Sequence, residues 1–213
     1  RNDEELKTLI EIISSSIGSL TNPTKLYNTF ISKGNKNITN KTIASYLKYL
    51  EESFLIEKSK RFDVKGKKYI ETPSKYYFVD IGIRNSLINF RQIEKTHIME
   101  NIIYTELRRR GFNVDVGIVE KRKIDKNGKK DYKQLEIDFV ANKGSDKYYI
   151  QSAYSIEDNN KKEQELQSLL SVSDNFKKLV IVYDSFIKWQ DDNGIIYISI
   201  YDFLLNENSL KES

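Results

Sequence analysis

The hydrophobic pattern of the chain changes period near residue 55. Before it, apolar residues recur every three or four positions. Leu6, Leu9, Ile10, Ile12, Ile13 and Ile17 predict a first helix, with Gly18 as its cap. Pro23 opens a second helix that carries Leu26, Tyr27 and Phe30 and ends near Gly34. Thr39 reads as the N-cap of a third helix, Asn40 to Phe54. Its apolar face is Ile43, Leu47, Leu50 and Phe54, and Lys41, Thr42, Ser45, Lys48, Tyr49 and Glu52 lie opposite. After that the period falls to two. LIEKSKRFDVKGKKYIE alternates about Lys65-Gly66-Lys67 and predicts a hairpin, followed by a strand KYYFVD that ends at Asp80.

The segment IGIRNSLINF reads as a short helix or turn, and Arg91 to Thr96 as a polar linker. Helical spacing returns in HIMENIIYTELRRRGF, where Ile98, Ile102, Ile103 and Leu107 form a broad apolar face and Gly111 is the expected cap. Glu100 falls at the edge of that face and Glu106 inside it. An inward glutamate is usually bonded structurally, to a backbone amide or an arginine. Next come strands FNVDVGIVEKRKI and DYKQLEIDFVA about Asn127-Gly128, a strand KYYIQSAY, and a helix with Glu163, Leu166, Leu169 and Leu170. The chain closes with an apolar strand KKLVIVYD, a strand Gly194 to Ser199 and a short helix Tyr201 to Leu205. Helix, hairpin, strand, helix, strand, strand, helix implies a mixed sheet between helices. In LEIDFVA, Leu135, Ile137 and Phe139 are expected on one face, and Glu136, Asp138 and Val140 on the other.

Composition narrows the classes. At 213 residues the chain suits one large or two small domains, and at 38% hydrophobic and 31% charged residues it reads as globular. No apolar run reaches membrane-spanning length, and a cytoplasmic setting without membrane contact is expected. Without cysteine there is no disulfide framework or thiolate metal site, and a single histidine, His97, rules out a histidine ligand cluster. The chain starts at Arg rather than Met and reads as a piece of a longer polypeptide.

Charge adds a partner class. The net charge is +4, yet residues Ile56 to Ile70 carry +4 and Lys121 to Lys133 carry +5, so the remainder carries −5. Two basic segments on an acidic chain point to a polyanion, although basic hairpin tips also occur simply for solubility. Three short helices and a basic hairpin follow the order of a winged helix-turn-helix, which would occupy residues 1–90. In that arrangement Lys41, Thr42, Ser45 and Lys48 face duplex DNA, with Lys65, Lys67 and Lys68 on the wing. Winged helices also serve as protein-docking modules, for which Tyr46 and Tyr49 are available.

The second half, residues 91–213, resembles the PD-(D/E)xK nuclease-like fold: a helix with Glu100, a strand with Asp138, then a strand with Gln151. The resemblance implies Glu100, Asp138 and Gln151 as ligands of Mg²⁺ or Mn²⁺ and as the catalytic set of an active member, with Glu136 or Glu106 assisting. Hard oxygen ligands would fix the metal, which activates water and stabilises charge on phosphate. The sequence departs from the pattern at the lysine, where Ala153 stands, and Gln151 is a neutral ligand. Losing a positioned cation costs several kcal/mol of transition-state stabilisation, roughly that of other electrostatic groups. A degenerate site is therefore expected.

Most of residues 37 to 205 also resembles the C-terminal region of prokaryotic AAA+-type P-loop ATPases. The similarity is carried by NKTIASYLKYLEESFLIEKSKRFDVKGKKYIETPSKYYFVDIGIRNSL, MENIIYTELRRRGFNVDVG, EIDFVA, YYIQSAYSI and DNGIIYISIYDFLL. It implies an N-terminal ATPase module as partner. No GxxxxGK[ST] occurs here, so ATP is not a cofactor of this fragment. The expectation is a DNA-interacting module with a degenerate nuclease fold. The alternatives are an active Mg²⁺-dependent nuclease, and a structural or protein-interaction tail with no nucleic-acid role. Trp189 is expected as a hairpin anchor rather than a base-stacking residue, and Asp191 to Gly194 as a turn.

Overall fold

The structure is a computed structural model and describes residues 2–34, 38–91, 94–124, 130–155, 166–184 and 186–211. The Asn127-Gly128 turn, Lys126, Lys129, Glu163, Glu165 and two linker residues, Gln92 and Ile93, lie outside the described residues. Seven helices and eight strands occur among the described residues. They are α1 Asn2–Ser15, α2 Pro23–Ser32, α3 Asn40–Glu52, β1 Ile56–Asp63, β2 Lys68–Phe78, α4 Ile81–Leu87 and α5 Lys95–Arg109. There follow β3 Asn113–Ile124, β4 Lys130–Lys143, β5 Asp146–Ala153, α6 over 166–170, β6 Lys177–Val182, β7 Trp189–Gln190, β8 Ile195–Ser199 and α7 Ile200–Leu205. The chain is a mixed α/β protein. Its sheet has the strand order β2-β1-β3-β4-β5-β6-β8-β7.

Residue contacts divide the chain into two compact units: 1–60 with 71–105, and 61–70 with 106–213. The sequence places a boundary at 90/91; the division by contacts cuts α5 after Thr105 and groups the turn of the β1–β2 hairpin with the second unit.

In the first unit the local signals act as read. Asn22 caps α2 by accepting the Lys25 amide, with Pro23 at the first helical position. Thr39 caps α3 by accepting the Thr42 amide. Leu9, Ile13, Phe30, Ile43 and Leu47 close one apolar cluster with Ile56 and Phe78. Tyr46, available for docking in the alternative reading, is buried in this cluster. One expectation fails here. Phe54, placed on the apolar face, is 76% exposed, because α3 stops at Glu52 and Phe54 turns left-handed at φ 57°. A polar pair ties α5 to β2: the Asn101 amide exchanges two 2.8 Å bonds with the Phe78 backbone.

In the second unit β1 pairs in parallel with β3, Arg61 to Asp63 lying beside Val116 to Ile118. The hairpin tip is thus docked and is not a free wing. β3–β4–β5 run antiparallel, then β5, β6 and β8 run parallel. Parallel strands need two covered faces, and β6 and β8 are correspondingly apolar. Trp189 stacks on Tyr197 at 4.1 Å, anchoring β7 to β8 as expected. Asp191 Oδ1 accepts the Asn193 and Ile195 amides, which makes 191–194 a turn.

Candidate functional site

The strand that carries Asp138 is not regular. Asp115 faces Val140 and Gly117 faces Ile137, so the single residue Val116 faces both Asp138 and Phe139. This is a β-bulge, one extra residue in β4. It reverses the alternation from that point, and Ile137 and Val140, expected on opposite faces, share one apolar cluster. Gly117 is the residue that permits it. A Cβ there would lie 2.8 Å from Val140 Cγ2 and 2.9 Å from Ile137 Cβ.

The bulge lets Asp138 bond sideways to β5. Its amide donates to Gln151 Oε1 at 3.3 Å, and its Oδ2 accepts the Ser152 amide at 2.9 Å. Both side chains are buried, with 9% and 8% of their surface exposed. The bonds satisfy buried polar groups that would otherwise cost about 1–3 kcal/mol each. Ala153, in the lysine position, ends β5 opposite Val182 and is 1% exposed in the apolar cluster with Val140, Tyr149 and Val180.

Glu100 belongs to the first unit. Its Oε1 accepts the Lys75 ammonium at 2.8 Å and the Tyr77 hydroxyl at 2.6 Å. Tyr77 stacks on Tyr104 at 4.1 Å. Gly18 closes over the same carboxylate: with φ 72°, it would place a Cβ 3.2 Å from Glu100 Oε2. Of the three carboxylate-motif residues, then, Asp138 and Gln151 meet, and Glu100 meets Lys75 and Tyr77. Sequence reasoning missed both partners. The available signal was a lysine in an otherwise apolar strand, KYYF, sharing a face with Tyr77 by the period of two. Glu136 is half-buried opposite Ile118. Among the described residues no group of three or more His, Cys, Asp or Glu side chains could hold a metal ion.

Glu106 has the structural role expected of an inward glutamate. It holds Arg109 and Arg110 at 2.7 Å each. Burial pushes its carboxyl up, but the bonds from the two guanidinium groups prevail and hold it below the usual glutamate range. Arg110 passes this anchorage on to the C-terminal segment, lying over the Phe203 ring at 4.4 Å and donating to Phe203 O and to Ser209 Oγ.

The nucleic-acid candidates separate into two groups. On α3, Lys41 and Lys48 are exposed. Thr42 Oγ1 is bonded to Thr39 Oγ1, Ser45 Oγ donates to Lys41 O, and Lys48 lies 3.5 Å from Glu52. Beside them is a cavity of about 250 Å³ whose lining includes Lys48 and Lys58 but also Glu51 and Glu71. Burial raises the Glu51 carboxyl above its ordinary value. Lys65, Lys67 and Lys68 lie in the second unit, the first two on a turn that Asp63 Oδ1 fixes by accepting the Lys65 and Gly66 amides and the third at the start of β2. No helix among the described residues is long and apolar enough to cross a membrane.

Residues 1–94 match a domain of unknown function (DUF8612). An uncharacterized protein of Haemophilus influenzae is 36% identical over 200 residues, which cover 94% of this chain and 46% of that protein. Uncharacterized protein MJ1544 of Methanocaldococcus jannaschii is 31% identical over 164 residues, 77% of this chain and 34% of that protein. The chain therefore spans about half and about a third of the length of these relatives.

Proposed function

We propose that this chain is the C-terminal part of a prokaryotic AAA+-type ATPase, a winged helix-turn-helix followed by a PD-(D/E)xK nuclease-like domain, which contacts duplex DNA in the cytoplasm without cutting it. The observation that carries the reading is the state of the would-be catalytic strands. Asp138 and Gln151 bond to each other's strand, and the lysine position is an alanine sealed in apolar core. A lysine two residues after the second ligand would have to leave that core to reach a phosphate, and its ammonium is costly to bury.

The donor set does not fit a resident Mg²⁺ or Mn²⁺. Such ions take several hard oxygens, carboxylates above all. Here one partner is a neutral amide whose oxygen is turned to a backbone N–H, and Glu100 already has the positive charge of Lys75 at 2.8 Å. The ATPase partner is supported by length: more than half of the Haemophilus relative lies outside the matched region. Contact with DNA is supported by the exposed lysines at the β1–β2 turn. The test is fluorescence anisotropy with random-sequence duplex, alongside a plasmid-nicking assay with Mg²⁺. Reversible, salt-sensitive binding and intact plasmid are expected. Nicking that disappears in Asp138→Ala would replace this reading with the active-nuclease one.

A further inference from the structure

The lysines of two hairpins come together in the second unit. Val64 N donates to Ile118 O, and Lys65 Nζ donates to Glu120 O at 3.1 Å, so the β1–β2 turn sits against the outer part of β3. One residue further along β3, Lys121 faces Lys133 of β4 directly across the ladder. Lys67 follows in the turn, and Lys68 begins β2. All five lysines are exposed, and among the described residues none pairs with a carboxylate.

The Lys121–Lys133 juxtaposition is the unusual feature. Directly opposed side chains in an antiparallel pair have Cβ atoms roughly 4.5–5.5 Å apart, and like charges there are destabilising. Lys65 lies in the turn just past the end of β1, and Lys121 and Lys133 stand toward the ends of β3 and β4, the next two strands of the sheet. At a strand spacing of about 4.8 Å they place three positive charges across roughly 10 Å. A duplex offers one phosphate per about 3.4 Å on each strand, a comparable density of the opposite sign. The α3 face differs, since its Lys48 is paired and Glu51 and Glu71 adjoin it.

We infer that the joined ends of the β1–β2 and β3–β4 hairpins, rather than α3, grip the phosphate backbone of duplex nucleic acid. The inference rests on the DNA-contact reading above and relocates its main surface. A nucleic acid fits better than a lipid surface, because residues 65–68, 120–121 and 132–134 hold no Leu, Ile, Phe or Trp to enter an acyl layer. Of the exposed large side chains, the apolar Phe54, Ile187 and Leu205 lie elsewhere in the chain, and those that adjoin the lysines, Tyr69 and Tyr132, carry a polar hydroxyl.

The test compares three proteins in anisotropy titrations with a random duplex of about 20 base pairs, between about 50 and 200 mM salt. They are the wild type, a hairpin variant (Lys65→Gln, Lys67→Gln, Lys68→Gln, Lys121→Gln, Lys133→Gln) and an α3 variant (Lys41→Gln, Lys48→Gln). The hairpin variant is expected to bind at least tenfold more weakly, and its salt slope should fall by about 0.9 for each phosphate it no longer neutralises. The α3 variant should stay within about twofold of wild type. Circular dichroism melts keep the comparison sound: Lys121→Gln alone should melt no lower than wild type, since it relieves a repulsion. Weakened binding confined to the α3 variant would overturn this inference and leave DNA contact standing. A wild type that ignores duplex at about 50 mM salt would overturn both. Tighter binding to phosphatidylserine vesicles than to duplex would overturn the choice of nucleic acid.

Discussion

Lys75 and Glu100 form an ion pair inside the first unit, Nζ to Oε1 2.8 Å, with only 4% and 10% of their side chains exposed. Tyr77 donates its hydroxyl to the same oxygen at 2.6 Å. Two charges removed from water survive when each compensates the other and hydrogen bonds complete the shell. Glu100 is thereby committed to holding β2 against α5. This is the opposite of an acid poised for a metal.

Breaking the pair should be expensive and removing it cheap. Lys75→Met leaves Glu100 buried and uncompensated, a loss of about 3–5 kcal/mol. For a chain of this length that lowers the melting temperature by roughly 2–4 °C per kcal/mol. The double variant Lys75→Met, Glu100→Leu should recover most of the loss. Thermal melts of the two single variants and the double variant form the cycle that measures it.

Gly117 should tolerate no side chain. Its φ is ordinary, so the obstacle is space: Val140 and Ile137 would both lie within 3 Å of an added Cβ. Gly117→Ala is expected to destabilise by about 1–3 kcal/mol, as overpacking does. Urea titration should show the midpoint falling with an unchanged slope.

Glu106 sets an acid limit. Its folded carboxyl titrates below the ordinary glutamate value, so the stabilisation is fully present above the unfolded pKa of about 4.3 and is lost as pH falls through the lower, folded value. Melting temperature against pH should drop below about pH 4.3. Glu106→Gln should flatten that part of the profile, and leave the protein less stable at neutral pH.

Restoring the motif lysine should not restore chemistry. Ala153→Lys puts an ammonium into the cluster around Val180 and Tyr149. The expected outcome is a lower melting temperature and no Mg²⁺-dependent nicking. Nicking above the wild-type background would show that the scaffold had kept a usable site.

The sequence carried the elements whose signals are local. Pro23, Thr39 and Gly111 mark helix ends through rules that act within a few residues, and the structure has the ends there. The run LVIV read as a buried strand because a central parallel strand has no polar face. What stayed hidden depends on partners distant in sequence. The bulge at Asp138 and Phe139 has no signature in LEIDFVA, which alternates cleanly; only the pairing with Val116 reveals it. The docking of the β1–β2 turn on β3 is also a pairing across more than fifty residues. Lys75 was legible as an anomaly, a cation in an apolar strand, but its partner was not. Asp138 and Gln151, the pair expected to come together, do meet, because strands adjacent in sequence became adjacent strands in space.

The most direct measurement is calorimetric titration of Mg²⁺ and Mn²⁺ into this chain and into Asp138→Ala. Both proteins should give the same featureless heats up to millimolar metal, since Asp138 and Gln151 serve the fold and Glu100 serves Lys75. Saturable binding to the wild type that vanishes in Asp138→Ala would contradict this, and would make the bulge a living metal site.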